Sequence, residues 1–353
     1  MLFERWILDI IEEKKSFPLV KSFLYGASTI YRLASASKHI AHEKKWLKAK
    51  KASIPVISIG NIVAGGTGKT PLVRLLAAEL VKDKKVAILT RGYRSAIEHS
   101  GEVVEISSEI GARIPVALCG DEPRMLAVQV PEAQVWVGKD RKESARRAAI
   151  AGADVAILDD GMQYRSLERN FEIVSMDAED LFGKGYFLPR GFLRDHPRRL
   201  SEADLIVVNP IRDKGHYDEI QARLSTYTES PIVGMRLRID HAQEWCHKKI
   251  GAFCALAKPD RFFATLKQAG SMIVHSLTAL DHMPIPKKHL ENFSNASAEQ
   301  GAEVLVCTEK DWVKLPEHLK LSLPIVILKT SLEIVFGQES WQGLIQKIKN
   351  TEV

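Results

Sequence analysis

Gly65-Gly66-Thr67-Gly68-Lys69-Thr70 sets three glycines, a lysine and two hydroxyls into six consecutive positions. The glycines let backbone N–H groups approach phosphate oxygens, and a helix starting here adds the partial positive charge of its N-terminus. Lys69 has the reach for the β- and γ-phosphates of a nucleotide, and the Thr70 hydroxyl can ligate Mg²⁺. Gly65, Gly66, Thr67, Gly68, Lys69 and Thr70 are therefore the candidate nucleotide-binding residues. Pro71 fits the first turn of the following helix, where the missing N–H has no intrahelical partner. The glycine expected five residues before Gly68 is Val63, so the loop is closer to the GGxGKT variant, whose usual preceding lysine is here Ala64.

Three further groups carry chemistry. Val155-Ala156-Ile157-Leu158-Asp159-Asp160 is an apolar strand ending in acid, which presents carboxylates to a metal held at a phosphate loop. Asp159 and Asp160, with Thr70, are the candidate metal ligands. Gly161-Met162-Gln163-Tyr164-Arg165 continues into an expected active-site loop. Cys119-Gly120-Asp121-Glu122-Pro123 is expected at the C-terminal end of a strand Val116–Cys119, where open α/β sheets bind ligands. Asp121 there reads either as a general base on a hydroxyl nucleophile or as the cap of the next helix. Arg190, Arg194, His196, Arg198 and Arg199 crowd one segment with Phe192 and two prolines, an arrangement suited to gripping phosphate or to a solvated basic loop. Thr308-Glu309-Lys310-Asp311 ends another expected strand and reads as a cap.

The elements that must position these residues follow from periodicity. Ile54–Ile59, Val86–Leu89, Val103–Ile106, Val116–Cys119, Val135–Val137, Val155–Leu158, Phe171–Val174 and Leu205–Val208 are short apolar runs, expected as strands buried on both faces of a parallel sheet. Pro71–Lys82 and Arg141–Ala151 read as helices between them. The fold class expected is α/β, a P-loop NTPase-like doubly wound, mostly parallel sheet with a second, smaller α/β domain. That second set has expected strands at Ile232–Ile239, Ile250–Leu256, Ser271–Val274, Glu303–Cys307 and Ile325–Leu328, with helices at Arg261–Ala269 and His289–Gln300. The alternation Val233, Met235, Leu237, Ile239 suggests a half-exposed ribbon. The expected boundaries are 1–51, 52–230 and 231–353.

Composition narrows the class. The chain has 353 residues, 45% hydrophobic and 27% charged, which excludes a disordered tail, a collagen-like fibre or a small disulfide scaffold. No apolar run reaches the roughly 20 residues of a membrane span, and charges throughout Met1–Leu19 argue against a cleavable signal peptide. The four cysteines contain no CxxC pair and are expected as reduced thiols. Residues 1–51 hold 11 Lys/Arg against 5 Asp/Glu, and the remainder is balanced, so the whole excess of +6 sits at one end. Leu2, Phe3, Trp6, Ile7, Ile10 and Ile11 recur at helix spacing, and Leu19, Phe23, Ile30 and Leu33 share a second face. With Trp46 and lysines 44, 45, 48, 50 and 51 following, this reads either as an amphipathic helix at a membrane surface or as a helix packed on its own domain. A nucleic-acid partner is not expected.

The ordered set Gly60-Asn61, GGTGKTP over 65–71, Arg91-Gly92-Tyr93, Gly120-Asp121-Glu122-Pro123, Leu158–Gln163, Pro189-Arg190-Gly191 with Leu193-Arg194-Asp195, Asp281-His282 and Thr308–Asp311 resembles the tetraacyldisaccharide 4′-kinase family of lipid A biosynthesis. The resemblance runs from about residue 1 to 330. It implies a bacterial enzyme that moves the γ-phosphate of ATP, with Mg²⁺, to the 4′-hydroxyl of an acylated glucosamine disaccharide 1-phosphate. It implies an N-terminal helix on the cytoplasmic face of the inner membrane, no obligate protein partner, and two domains with the active site in their cleft. By motif, Asp121 corresponds to the base and His282 to its partner, expected to meet across domains on closure. Arg91, Tyr93, Gln163, Arg190, Arg194 and Asp195 correspond to substrate-side residues. The chain departs from the family's pattern at Asp195-His196, Tyr164, Arg94 and Met283. The rival readings are a nucleotide-switch ATPase or GTPase and a soluble small-molecule kinase. Against a GTPase, Asn209-Pro210-Ile211-Arg212-Asp213 lacks the guanine-reading Asn-Lys-x-Asp.

Overall fold

The structure is a computed structural model that describes residues 7, 10–12, 15, 17–44, 46–107, 114–281, 283–315 and 318–352, without the side chains of 43, 242 and 243. Leu2, Phe3 and Trp6 of the expected helical repeat, and Lys45, lie outside the described residues.

The chain forms two compact units, one from residues 1–90, 140–236 and 334–353, the other from 91–139 and 237–333. The boundaries expected at 51/52 and 230/231 follow chain order, whereas these units are each assembled from discontinuous stretches.

Six strands, within the first unit but for the last three residues of β8, lie in the order β8-β7-β6-β1-β5-β2: β1 (Val56–Gly60), β2 (Val86–Thr90), β5 (Val155–Asp159), β6 (Phe171–Asp177), β7 (Leu205–Asn209) and β8 (Ile232–Ile239). All five pairings are parallel, and β1, β2 and β5 are buried along their full length. Burial on both faces is why these strands read as unbroken apolar runs. The chain leaves β1 toward β2 and β5 and later returns on its other side through β6. The strand order therefore reverses beside β1, where doubly wound sheets open their ligand crevice. Helix α2 (Lys69–Leu80) follows the phosphate loop and buries Leu72, Val73, Leu76, Ala77 and Leu80, spaced for one helix face.

Helix α1 (Pro18–Glu43) starts at a proline and turns Leu24 and Ser28 inward. Leu19, Phe23, Ile30 and Leu33, the expected shared face, are 61–88% exposed. No helix among the described residues is long and apolar enough to cross a membrane. At the other end α11 (Gln338–Asn350), not expected from the sequence, buries Trp341, Leu344, Ile345 and Ile348.

The second unit holds a parallel four-stranded sheet, β10-β9-β11-β12, made of β9 (Lys249–Cys254), β10 (Met272–Thr278), β11 (Val304–Thr308) and β12 (Ile325–Leu328). Helices α8 (Pro259–Gln268) and α9 (Lys287–Glu299) bury Phe262, Leu266, Leu290 and Phe293. It also contains the antiparallel pair β3 (Val103–Ile106) and β4 (Gln134–Gly138). The expected ribbon strand β8 is buried at Val233 and Met235 and exposed from Arg236 to Arg238.

One expected strand is a helix. Val116–Cys119 forms the short α4, followed directly by α5 (Asp121–Gln129). Pro115 precedes the first helical residue, and Gly120, at φ +95, donates its N–H to the Val116 carbonyl before the chain turns into α5. Four apolar residues between a proline and a glycine carry too little pattern to separate a strand from one helical turn. Asp121 thus opens a helix rather than ending a strand.

Candidate active site

In the first unit the phosphate loop runs from β1 into α2. Gly65 and Gly68 have φ of +114° and +82°, a left-handed conformation that favours glycine. A Cβ on Gly65 or Gly66 meets nothing within 4 Å, so the loop borders open space at these two glycines. Behind it the loop is fixed: Asn61 Nδ2 donates to Thr67 Oγ1 at 2.9 Å, Ser175 Oγ to the Thr67 carbonyl at 2.6 Å, and Ala64 N–H to the Phe192 carbonyl at 2.7 Å. Glycine is needed at position 60 because a Cβ there would overlap Met162 of the loop after β5.

The acids at the end of β5 sit beside this loop. Asp159 is buried at the strand terminus. Asp160, in the left-handed region at φ +50, turns its carboxylate toward basic groups. Lys69 Nζ is 3.3 Å from its Oδ1, and Arg194 donates to both oxygens at 3.0 and 2.7 Å. Burial opposes ionisation of Asp160, yet the Lys69 and Arg194 charges outweigh it and hold the carboxyl well below the usual range. Arg194 also reaches Asn61 Oδ1. Gln163 Nε2 bridges the Asn61 carbonyl at 2.9 Å and Asp195 Oδ2 at 2.8 Å, and Asp195 is further held by Arg199 Nη1 at 2.8 Å. Ser35 of α1 donates to the same Asp195 carboxylate at 3.2 Å. Arg190 is buried and lies with its guanidinium 4.5 Å from the Tyr186 ring centroid.

The remaining expected site residues belong to the second unit. Gly92, at φ +67, is packed so that a Cβ would overlap Val137 and crowd the Cys119 carbonyl, which presses the Arg91-Gly92-Tyr93 turn onto the end of α4. Arg91 pairs with Glu98, and Tyr93 is exposed. Asp121 is buried at the start of α5. Near it lie Lys310 Nζ, 3.8 Å from Asp121 Oδ2, and Lys314 Nζ, 4.0 Å from the same oxygen. Asp281 accepts from Lys310 at 3.0 Å. His282 lies outside the described residues. Its neighbours Asp281 and Met283 belong to the same unit as Asp121.

The structure therefore gathers Lys69, Asp160, Gln163, Arg194 and Asp195 in one hydrogen-bonded array. Lys310 and Lys314 were not read as site residues from sequence. Their signal was the Thr308–Asp311 motif, whose cap reading accounts for Thr308 and Asp311 but not for Lys310.

A family model described as Tetraacyldisaccharide-1-P 4′-kinase matches residues 20–350. The chain belongs to this family. Relatives named Tetraacyldisaccharide 4′-kinase include that of Chlamydia abortus, 36% identical and covering 94% of this chain and 90% of the relative. That of Syntrophus aciditrophicus is 34% identical and covers 90% of each chain. A crystal structure of LpxK from Aquifex aeolicus in complex with ATP is similar with a TM-score of 0.72 at 25% identity, over 93% of this chain and 99% of that one. As a tetraacyldisaccharide 4′-kinase the protein is an enzyme of lipid A biosynthesis, and the nucleotide-switch reading is not favoured.

Proposed function

We propose that the first unit binds ATP over Gly65–Thr70 and that Asp121 of the second unit activates the acceptor hydroxyl. The observation that supports this best is the convergence of Lys69 and Arg194 on Asp160 beside an open, glycine-lined loop. Lys69 neutralises charge on the transferred phosphoryl group, and fixed backbone N–H groups supply the rest of the electrostatic stabilisation. Asp121 accepts the 4′-hydroxyl proton as that oxygen bonds to the γ-phosphorus and the bond from phosphorus to the β,γ-bridging oxygen breaks, releasing ADP, with His282 as the partner of Asp121 by family motif.

Thr70, Asp159 and Asp160 offer only oxygen donors, the set a hard Mg²⁺ ion takes, and that ion needs no more than one or two carboxylates besides substrate phosphates. When bound, it supplies charge neutralisation to the triphosphate. Asp195, held by Gln163, Arg199 and Ser35, fixes the loop that carries Asp160's partner Arg194.

The acceptor is an acylated disaccharide 1-phosphate at a membrane surface, the cytoplasmic face of the inner membrane. The exposed apolar face of α1 followed by lysines 44, 48, 50 and 51 supports that placement. Arg190 and the basic segment through Arg199, with Arg91, Tyr93 and Gln163, serve the substrate side. Asp121→Ala is expected to abolish turnover while nucleotide binding, measured by calorimetry, persists; full turnover in this variant removes Asp121 from the mechanism.

A further inference from the structure

Helix α10 (Glu309–Trp312) is a single turn whose cap is complete without Lys310. Thr308 Oγ1 accepts from Asp311 N–H at 3.1 Å and donates to Asp311 Oδ2 at 2.7 Å, while Asp311 Oδ1 accepts from Ala255 N–H at 3.1 Å. Lys310 turns away from this cap. Its Nζ is 3.0 Å from Asp281 Oδ1, 3.8 Å from Asp121 Oδ2 and 3.9 Å from Glu122 Oε1. Lys314 brings a second ammonium, 3.1 Å from Asp311 Oδ1 and 4.0 Å from Asp121 Oδ2. Arg124 Nη1 donates to the Val313 carbonyl at 2.8 Å, which ties α5 to the same turn. The Lys310, Lys314 and Asp121 side chains are 16%, 6% and 7% exposed, so these charges act on one another with little screening by water.

We propose that Lys310 is the positioning residue of the base, its ammonium keeping the Asp121 carboxylate ionised, oriented and joined to the Asp281 loop. The inference rests on the reading of Asp121 as the base. Three carboxylates, from Asp121, Glu122 and Asp281, converge on one Nζ. Without that cation they repel, and one of them takes up a proton or moves away. A protonated Asp121 is too weak a base to accept the sugar proton. At 3.8 Å the contact is too long for a direct hydrogen bond, so it acts through charge, which any cation of similar reach supplies. Burial opposes the charge on Lys310, but Glu122, Asp121 and Asp281 outweigh it and hold the ammonium above the usual lysine value. Among the described residues, Arg124 on α5, Cys119 on α4, Asp311 on α10 and Lys314 beyond it also lie at this cluster. Lys314 is shared with Asp311, whereas Lys310 lies within reach of both Asp121 and Asp281.

The test compares Lys310→Gln, Lys310→Arg and Asp121→Asn in the full chain, with phosphoryl transfer to the dispersed acceptor measured across pH. In Lys310→Gln, kcat is expected to fall about 10–100-fold with KM for ATP changed less than about threefold, and the acid limb of the kcat profile to move up by about one pH unit. Lys310→Arg is expected to restore most of kcat and return the limb. A Lys310→Gln enzyme with wild-type kcat and pH profile overturns the proposal. Where Lys310→Gln does not fold, Lys310→Arg decides: a folded Lys310→Arg whose kcat falls about 10–100-fold, as expected for loss of the charge, also overturns the proposal, since a cation at this position then does not suffice. Activity surviving in Asp121→Asn overturns the base reading instead, so the two failures are told apart.

Discussion

Lys69 Nζ lies 3.3 Å from Asp160 Oδ1, and Arg194 donates to both oxygens of the same carboxylate at 3.0 and 2.7 Å. A phosphate entering the loop meets a lysine already held by an acid rather than one swinging free. Because Lys69 and Arg194 depress the Asp160 carboxyl in the folded chain, its ionisation stabilises the fold at pH values above the unfolded carboxylate value near about 4, and that contribution is lost as the pH falls below it. Denaturant unfolding measured from pH 7 down to pH 2 is expected to show a steeper loss of stability in the wild type than in Asp160→Asn. Parallel curves contradict the pairing.

Cysteine chemistry separates one thiol from three. Cys246 is exposed, whereas burial pushes Cys119 up to about 11 and Cys254 up to about 12, and raises the buried Cys307 further. The thiolate is the reactive form. At pH 8 an aromatic disulfide reagent is expected to label one thiol per native chain, lost in Cys246→Ser, and four in denaturant.

The C-terminal helix closes the phosphate-loop unit. Trp341 is fully buried and donates from Nε1 to Glu79 Oε1 of α2 at 3.2 Å. Trp341→Ala is expected to cost about 3–5 kcal/mol by the general cost of emptying a large aromatic site, and Trp341→Phe much less. Equilibrium unfolding followed by circular dichroism checks both.

The apolar face of α1 is expected to hold the protein to anionic bilayers. Phe23→Asp with Ile30→Asp, both at exposed positions, should remove flotation with anionic liposomes while transfer to a detergent-dispersed acceptor continues. Undiminished flotation of the double variant shows that this face is not what binds.

Much of this was legible in the residues. The phosphate loop and the buried β-strands speak through local pattern, because glycine conformations, a lysine at a fixed offset and unbroken apolar runs are short-range signals. Val116–Cys119 misled because four apolar residues do not fix a period, and proline and glycine at its ends decided the matter. The i, i+3, i+4, i+7 spacing of Trp341, Leu344, Ile345 and Ile348 was present in the sequence and marks α11 once sought. The assembly of each unit from separated stretches, and the approach of Lys310 to Asp121 across nearly two hundred positions, depend on tertiary packing and leave no local trace.

The most direct test is the fate of the terminal phosphate. Purified protein is incubated with γ-labelled ATP, Mg²⁺ and purified tetraacyldisaccharide 1-phosphate, and lipid and inorganic phosphate are separated. The account predicts label in the lipid at the 4′-position, lost in both Lys69→Ala and Asp121→Ala. Label released only as inorganic phosphate, with the lipid unlabelled, would contradict it.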